Sequence, residues 1–166
     1  MISFTVKFTI IFSFVLILLA IILYYNQYKN SKIAKVSFRE TMDLCELPIV
    51  TFLIGHRKVN FLLDTGASSS IINKSTLSEL SYEDSSKVDE LYGMEGNKIK
   101  VSYVNMSLTY KDRNYDEEFQ VVDMSAPFGN LKSDFGVNVH GILSSSFFRK
   151  YQYVLDFSEL IAYSKR

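Results

Sequence analysis

The sequence predicts an all-β domain with one or two short helices, preceded by an N-terminal transmembrane helix. Three observations carry this. Residues 8–25 (FTIIFSFVLILLAIILYY) contain no charge. The rest is rich in aromatic residues, with 11 Tyr and 13 Phe against 7 Gly and 2 Pro in the whole chain, which suits strands joined by tight connections. Apolar runs of strand length, bounded by turn residues, recur from Leu47 onward.

Length and charge bound the possibilities. The chain has 166 residues, and roughly the first forty do not read as globular. What remains is enough for one compact domain with a real core. The formal net charge is zero, but from Glu40 onward acids outnumber bases by 18 to 13. No basic face suggests nucleic acid, and none is expected as a partner. Cys45 is the single cysteine, so no intrachain disulfide forms.

Residues 1–7 form a short tail. At 1.5 Å per residue, the eighteen residues 8–25 just cross a hydrocarbon core of about 30 Å. Tyr24 and Tyr25 suit an interface, with Lys29 beyond it. The competing reading is a cleaved leader, but the run is long for one and no A-x-A-like site follows. The expectation is a single-pass membrane anchor. Residues 26–46 read as a polar, basic stalk. Lys29, Lys32, Lys35 and Arg39 outweigh Lys7, so the positive-inside rule would keep the C-terminal domain cytoplasmic; the sequence leaves the side open.

The domain itself spans 47–166. Residues 47–54 and 57–63 are strands around a Gly55-His56 turn. A strand resumes at Ser70-Ile71-Ile72, and Asn73 caps a short helix over 74–80. Residues 81–87 read as a polar loop. Strands over 88–92 and 98–109 flank Gly93-Met94-Glu95-Gly96-Asn97, a hairpin tip. Residues 115–123 pair back, with Glu117 and Glu118 as a solvated edge rather than an acid pair. Residues 151–157 and 160–163 close the domain as a hairpin, with Asp156 on its turn side. Asp134-Phe135-Gly136 matches a kinase tripeptide, but the chain has no nucleotide loop.

The chemistry centres on Phe61-Leu62-Leu63-Asp64-Thr65-Gly66-Ala67-Ser68-Ser69-Ser70-Ile71-Ile72. A buried strand ending in Asp-Thr-Gly delivers an acid to the floor of a cleft. The chain then turns at Gly66, a residue that accepts backbone angles others do not. Amide hydrogens of such a turn point at the Asp64 carboxylate and favour its ionised form. Thr65 is placed to hydrogen-bond across to a partner strand.

This segment resembles the active-site segment of the retropepsin-like aspartic proteases. Two further stretches are similar to that family in order and spacing. Gly141-Ile142-Leu143-Ser144-Ser145-Ser146-Phe147-Phe148 matches its hydrophobic-hydrophobic-glycine loop and following helix, except that Ser144 stands where glycine is usual. The 151–163 hairpin matches its closing strands. The resemblance implies a retropepsin-like closed β-barrel half and a homodimer. Asp64 from each copy would be the catalytic acid, and Thr65, Gly66, Ala67 and Ser68 the active-site turn. Gly93, Met94, Glu95 and Gly96 would form a flap, and Gly141, Ile142 and Leu143 the second loop beside the cleft. It implies a peptide or protein substrate, no cofactor and no metal.

Two carboxylates about 3 Å apart share one proton, one acting as base and the other as acid. This chain supplies a single Asp-Thr-Gly, so the pair needs a second copy. The alternatives are a catalytically inactive relative serving as a peptide-binding or dimerisation module, and an unrelated extracellular binding protein. Cys45 has no His partner at a motif spacing, and His56 and His140 read as turn and packing residues.

Overall fold

The structure is a computed structural model describing residues 4–31, 33–92 and 98–165. It divides into two compact units, Met1–Ile33 and Ala34–Arg166. The first holds helix α1 (Phe4–Ser31), which overruns the expected span at both ends. Side chains are described over 12–25 of this helix, and there Phe14, Ile17, Leu19, Ile21 and Leu23 are all exposed. Counted over the described residues, no helix is long and apolar enough to cross a membrane.

The second unit begins with a short strand, β1 (Val36–Ser37), and helix α2 (Arg39–Cys45). Strands β2 (Ile49–Ile54) and β3 (Arg57–Leu63) form the expected hairpin, in register from Ile49 opposite Leu62 to Ile54 opposite Arg57. The two-residue turn between them uses Gly55 at φ 59°. Next come β4 (Ile71–Asn73) and a 3-10 turn over Lys74–Glu79. The long strands β5 (Glu83–Tyr92), β6 (Lys98–Tyr110) and β7 (Arg113–Val122) follow. Helix α3 (Ser125–Phe135) leads to β8 (Gly141–Leu143) and α4 (Ser145–Tyr151). The chain closes with β9 (Tyr153–Asp156) and β10 (Ile161–Ser164).

The main sheet runs β2-β3-β8-β4-β7-β6-β5, and β2 also pairs with β6 at Leu53 and Thr109. Six strands therefore close into a barrel, with β5 outside the ring. Alternation decides what fills it. Val59, Phe61 and Leu63 of β3 point inward with Phe52, Leu108, Phe119 and Phe147, all at most 3% exposed. Phe61 and Phe119 stack at 5.5 Å between centroids. Burying a side chain of this size contributes about 1.5–3 kcal/mol. A separate small sheet, β1-β10-β9, lies at the chain's two ends within this unit.

Two expectations are corrected, and one helix is added. The compact unit starts at Ala34 rather than Leu47, because β1 pairs with β10 and Phe38 is buried to 1%. The basic, polar composition of 26–46 concealed those contacts. Much of the supposed loop 81–87 is strand β5, whose register against β6 shifts between Asp84 and Val88. Helix α3 was not foreseen, since Pro127 and Gly129 argue against a helix. Pro127 sits in the first turn, where its missing N–H costs no bond. Phe128 and Leu131 then pack this helix against Ile49, Ile142 and Ala67 in a second apolar cluster.

Candidate active site

Asp64 emerges from β3 at the point where the barrel strand ends. Its amide donates to the Leu143 carbonyl at 3.0 Å, extending the parallel β3–β8 ladder by one bond. The Gly66 amide donates back to Asp64 Oδ1 at 2.8 Å, as the turn chemistry predicts. The reason for glycine here differs from the expected one. Gly66 is not among the residues with positive φ; a Cβ on it would lie 3.2 Å from Asp64 Oδ1. Close approach of the carboxylate, rather than a left-handed backbone, favours the missing side chain. Thr65, Gly66 and Ser68 are exposed, and Ala67 is partly buried. Among the described residues Thr65 makes no side-chain hydrogen bond.

The second loop meets this turn directly. Gly141, Ile142 and Leu143 are buried as β8, parallel to β3 on one side and antiparallel to β4 on the other. A Cβ on Gly141 would lie 2.4 Å from the Ile71 carbonyl oxygen and 2.8 Å from Phe61 Cε1. Only glycine lets β8 thread between the two arms. The Ser145 amide and hydroxyl both reach the Ala67 carbonyl, at 3.0 and 2.8 Å, and clamp α4 to the turn. The flap expected at Gly93, Met94, Glu95 and Gly96 lies outside the described residues.

Behind Asp64 lies a polar cluster that sequence reasoning missed. Ser70 and Ser144 are buried, and Glu117, expected on a solvated edge, is only 6% exposed. Ser70 Oγ donates to Glu117 Oε1 at 2.8 Å, and Lys150 Nζ lies 3.3 Å from Glu117 Oε2. Burial works against the Lys150 ammonium, but the Tyr151 hydroxyl and the Glu117 charge outweigh it, so its pKa lies above the ordinary lysine value. Ser144, departing from the usual glycine, finds Ser70 Oγ at 3.2 Å and Ser146 Oγ at 2.7 Å rather than crowding the turn. Period-two counting along β7 was the available signal: Tyr115, Glu117 and Phe119 alternate on one buried face.

His140, just before β8, is half-buried and fastens the root of the same ladder. Its amide donates to the Asn60 carbonyl at 2.9 Å, and the Asn60 amide donates to its Nδ1 at 3.0 Å. Burial lowers its pKa below the ordinary histidine value. Asp156 ends β9 on the turn side of the hairpin, as expected: its Oδ1 accepts the Ser158 and Glu159 amides at 3.0 and 3.1 Å.

A cavity of about 290 Å3 opens beside the turn, lined by Ser68, Ser69, Ser70, Tyr103 and Glu118 among others. A larger one, about 570 Å3, lies over β5, β6 and β7 and does not include Asp64. Among the described residues no three His, Cys, Asp or Glu side chains converge as a metal site.

A closed six-strand barrel, an Asp-Thr-Gly turn and a glycine loop threaded beside it define a retropepsin-like fold. A family model described as aspartyl protease matches residues 50–147, and the chain belongs to that family. The fold is similar to the retroviral protease-like domain of Ddi1 from Leishmania major. That match has a TM-score of 0.52 and 15% identity, over 72% of this chain and 89% of that one. The EIAV protease complexed with the inhibitor HBY-793 gives a TM-score of 0.47 at 18% identity, over 69% of this chain and 97% of that one. No curated protein matches the sequence. Family and fold together make this a protease-type protein.

Proposed function

We propose that the chain is a membrane-anchored aspartic endopeptidase, active as a homodimer that pairs Asp64 from each copy. The observation that carries this is the held carboxylate. Asp64 is fixed through its amide to Leu143 and through Oδ1 to the Gly66 amide, at the foot of an exposed turn. One carboxylate alone cannot serve as both acid and base. Two copies across a two-fold axis would share one proton over a water molecule. The ionised member takes a proton from the water, which attacks the peptide carbonyl. The protonated member donates to the carbonyl oxygen. An extended peptide would lie over both turns and add as a strand, with alternate side chains in pockets.

Residues 8–25 would anchor the chain in the bilayer. The stretch whose side chains are described, 12–25, is by itself too short to span one, and the anchor needs the whole apolar run. Apolar side chains exposed along 12–25 of α1 support this reading, since a helix apolar all round requires cover. Confinement to a plane raises the effective concentration of copies and favours a weak dimer. The basic residues after the run favour a cytoplasmic domain.

The test uses the full chain in detergent with a peptide library over pH 3–7. Asp64→Asn should lower kcat/KM by at least about 1,000-fold, near 4 kcal/mol, with the dimer intact by sedimentation. Unchanged cleavage in that variant, or a strictly monomeric active parent, would overturn the mechanism. Proteolysis of the reconstituted chain in sealed vesicles tests the anchor and its orientation.

A further inference from the structure

The two segments at the site are joined behind Asp64 by buried polar groups that the paired-aspartate reaction does not itself use. Ser70 closes the turn, Ser144 follows β8, and they are 1% and 0% exposed. The Ser144 amide donates to Ser70 Oγ at 3.3 Å, and Ser70 Oγ donates to Glu117 Oε1 at 2.8 Å. Lys150 holds the other Glu117 oxygen at 3.3 Å.

Direction matters in this relay. A serine hydroxyl has one hydrogen to give and two lone pairs to receive with. An ionised Glu117 only accepts, so it takes the Ser70 hydrogen and leaves the Ser70 oxygen facing the Ser144 amide. The peptide bearing that amide also bears the Leu143 carbonyl, which accepts the Asp64 amide at 3.0 Å. A continuous path thus runs from Lys150 through Glu117 and Ser70 to the peptide that holds Asp64. The Glu117 side chain is 6% exposed but that of Lys150 is 52% exposed, so the pair is only half buried and its ionic attraction is a weak source of stability.

We propose that Glu117 is a positioning residue: by fixing the Ser70 hydroxyl it orients the Leu143–Ser144 peptide, and through it Asp64. The proposal rests on the peptidase reading of Asp64.

The test measures peptide cleavage and amide hydrogen exchange in the full chain. Glu117→Ala should lower kcat about tenfold with KM within about twofold, and Glu117→Gln, which still offers Ser70 an oxygen, should recover kcat to within about threefold of the parent. Exchange at the Asp64 and Ser144 amides should quicken about tenfold in Glu117→Ala, with Ala162 in the small sheet unchanged. A folded Glu117→Ala chain with parental kcat and exchange overturns the proposal, as does equal loss in Glu117→Gln. Should Glu117→Ala not fold, Ser70→Ala replaces it, with the same expectations and the same overturning result. A parent that cleaves nothing removes the peptidase reading, while the exchange rates still decide whether Glu117 holds the Asp64 peptide.

Discussion

The two segments that meet at the site are opposites. Residues 64–68 are all at least partly exposed and carry the acid, the hydroxyl and the Gly66 amide that bonds the acid. Residues 141–144 are wholly buried and carry no acid or base. Each contains a glycine, for a different physical reason. At Gly66 an added methyl group would meet a movable carboxylate oxygen at 3.2 Å; at Gly141 it would meet a fixed backbone carbonyl at 2.4 Å. One segment supplies chemistry, the other the mould that aims it, and the mould tolerates less.

Substitution in the mould should therefore have the largest effect. Gly141→Ala must displace Ile71 from β8 or Phe61 from the barrel, and neither is the tip of a flexible chain. The expected loss is about 3 kcal/mol or more, at the upper end of overpacking costs, read by denaturant unfolding of the full chain. A loss under about 1 kcal/mol would mean that β8 has slack, and the contrast between the two glycines would vanish.

His140 sits one residue before that mould and gives an intermediate effect with a pH signature. Its Nδ1 accepts the Asn60 amide, which only an unprotonated Nδ1 does. Glu79 and Arg57, themselves ion-paired, act on it in opposite directions, and burial is the leading cause of its lowered pKa. A lowered folded pKa means that the unfolded chain binds the proton more readily. The contribution is fully present above the unfolded value near 6.5 and is lost as pH falls through the folded value. His140→Ala should cost about 1–2 kcal/mol at neutral pH by leaving the Asn60 amide without its acceptor. In His140→Asn, whose Oδ1 can take that amide, this part of the acid loss should disappear from stability curves recorded between pH 7 and 5. A His140→Asn curve parallel to the parent's would show that the imidazole is not the group titrating.

The same contrast explains what was legible in the sequence. The Asp64 turn could be read because its parts are consecutive: an apolar strand, an acid, a hydroxyl and a glycine. The β2–β3 hairpin was legible for the same local reason, through Gly55-His56. The buried partner was harder. Gly141 shows its purpose only when Phe61 and Ile71, far away in sequence, close on it. Glu117 looked solvated because a glutamate beside another glutamate usually is; its burial depends on Ser70 and Lys150 arriving from either side. Helix α3 runs against its own propensities and stands on the packing of Phe128 and Leu131. Local chemistry is written in neighbouring letters, whereas the mould is written in contacts.

The smallest effect on stability, and the sharpest test of the comparison, belongs to Gly66→Ala. Gly66 has no positive φ, so an alanine there meets no backbone penalty. It also restricts the unfolded chain, which by itself is slightly stabilising. Against this stands the 3.2 Å approach to Asp64 Oδ1, relieved by a small rotation of a partly exposed carboxylate. Stability should change by less than about 0.5 kcal/mol. The rotation nevertheless lengthens the 2.8 Å bond from the residue 66 amide and misdirects the acid, so cleavage should fall about tenfold. A stability loss comparable to that of Gly141→Ala would place both glycines in the mould. Unchanged cleavage would mean that the residue 66 amide does not aim Asp64.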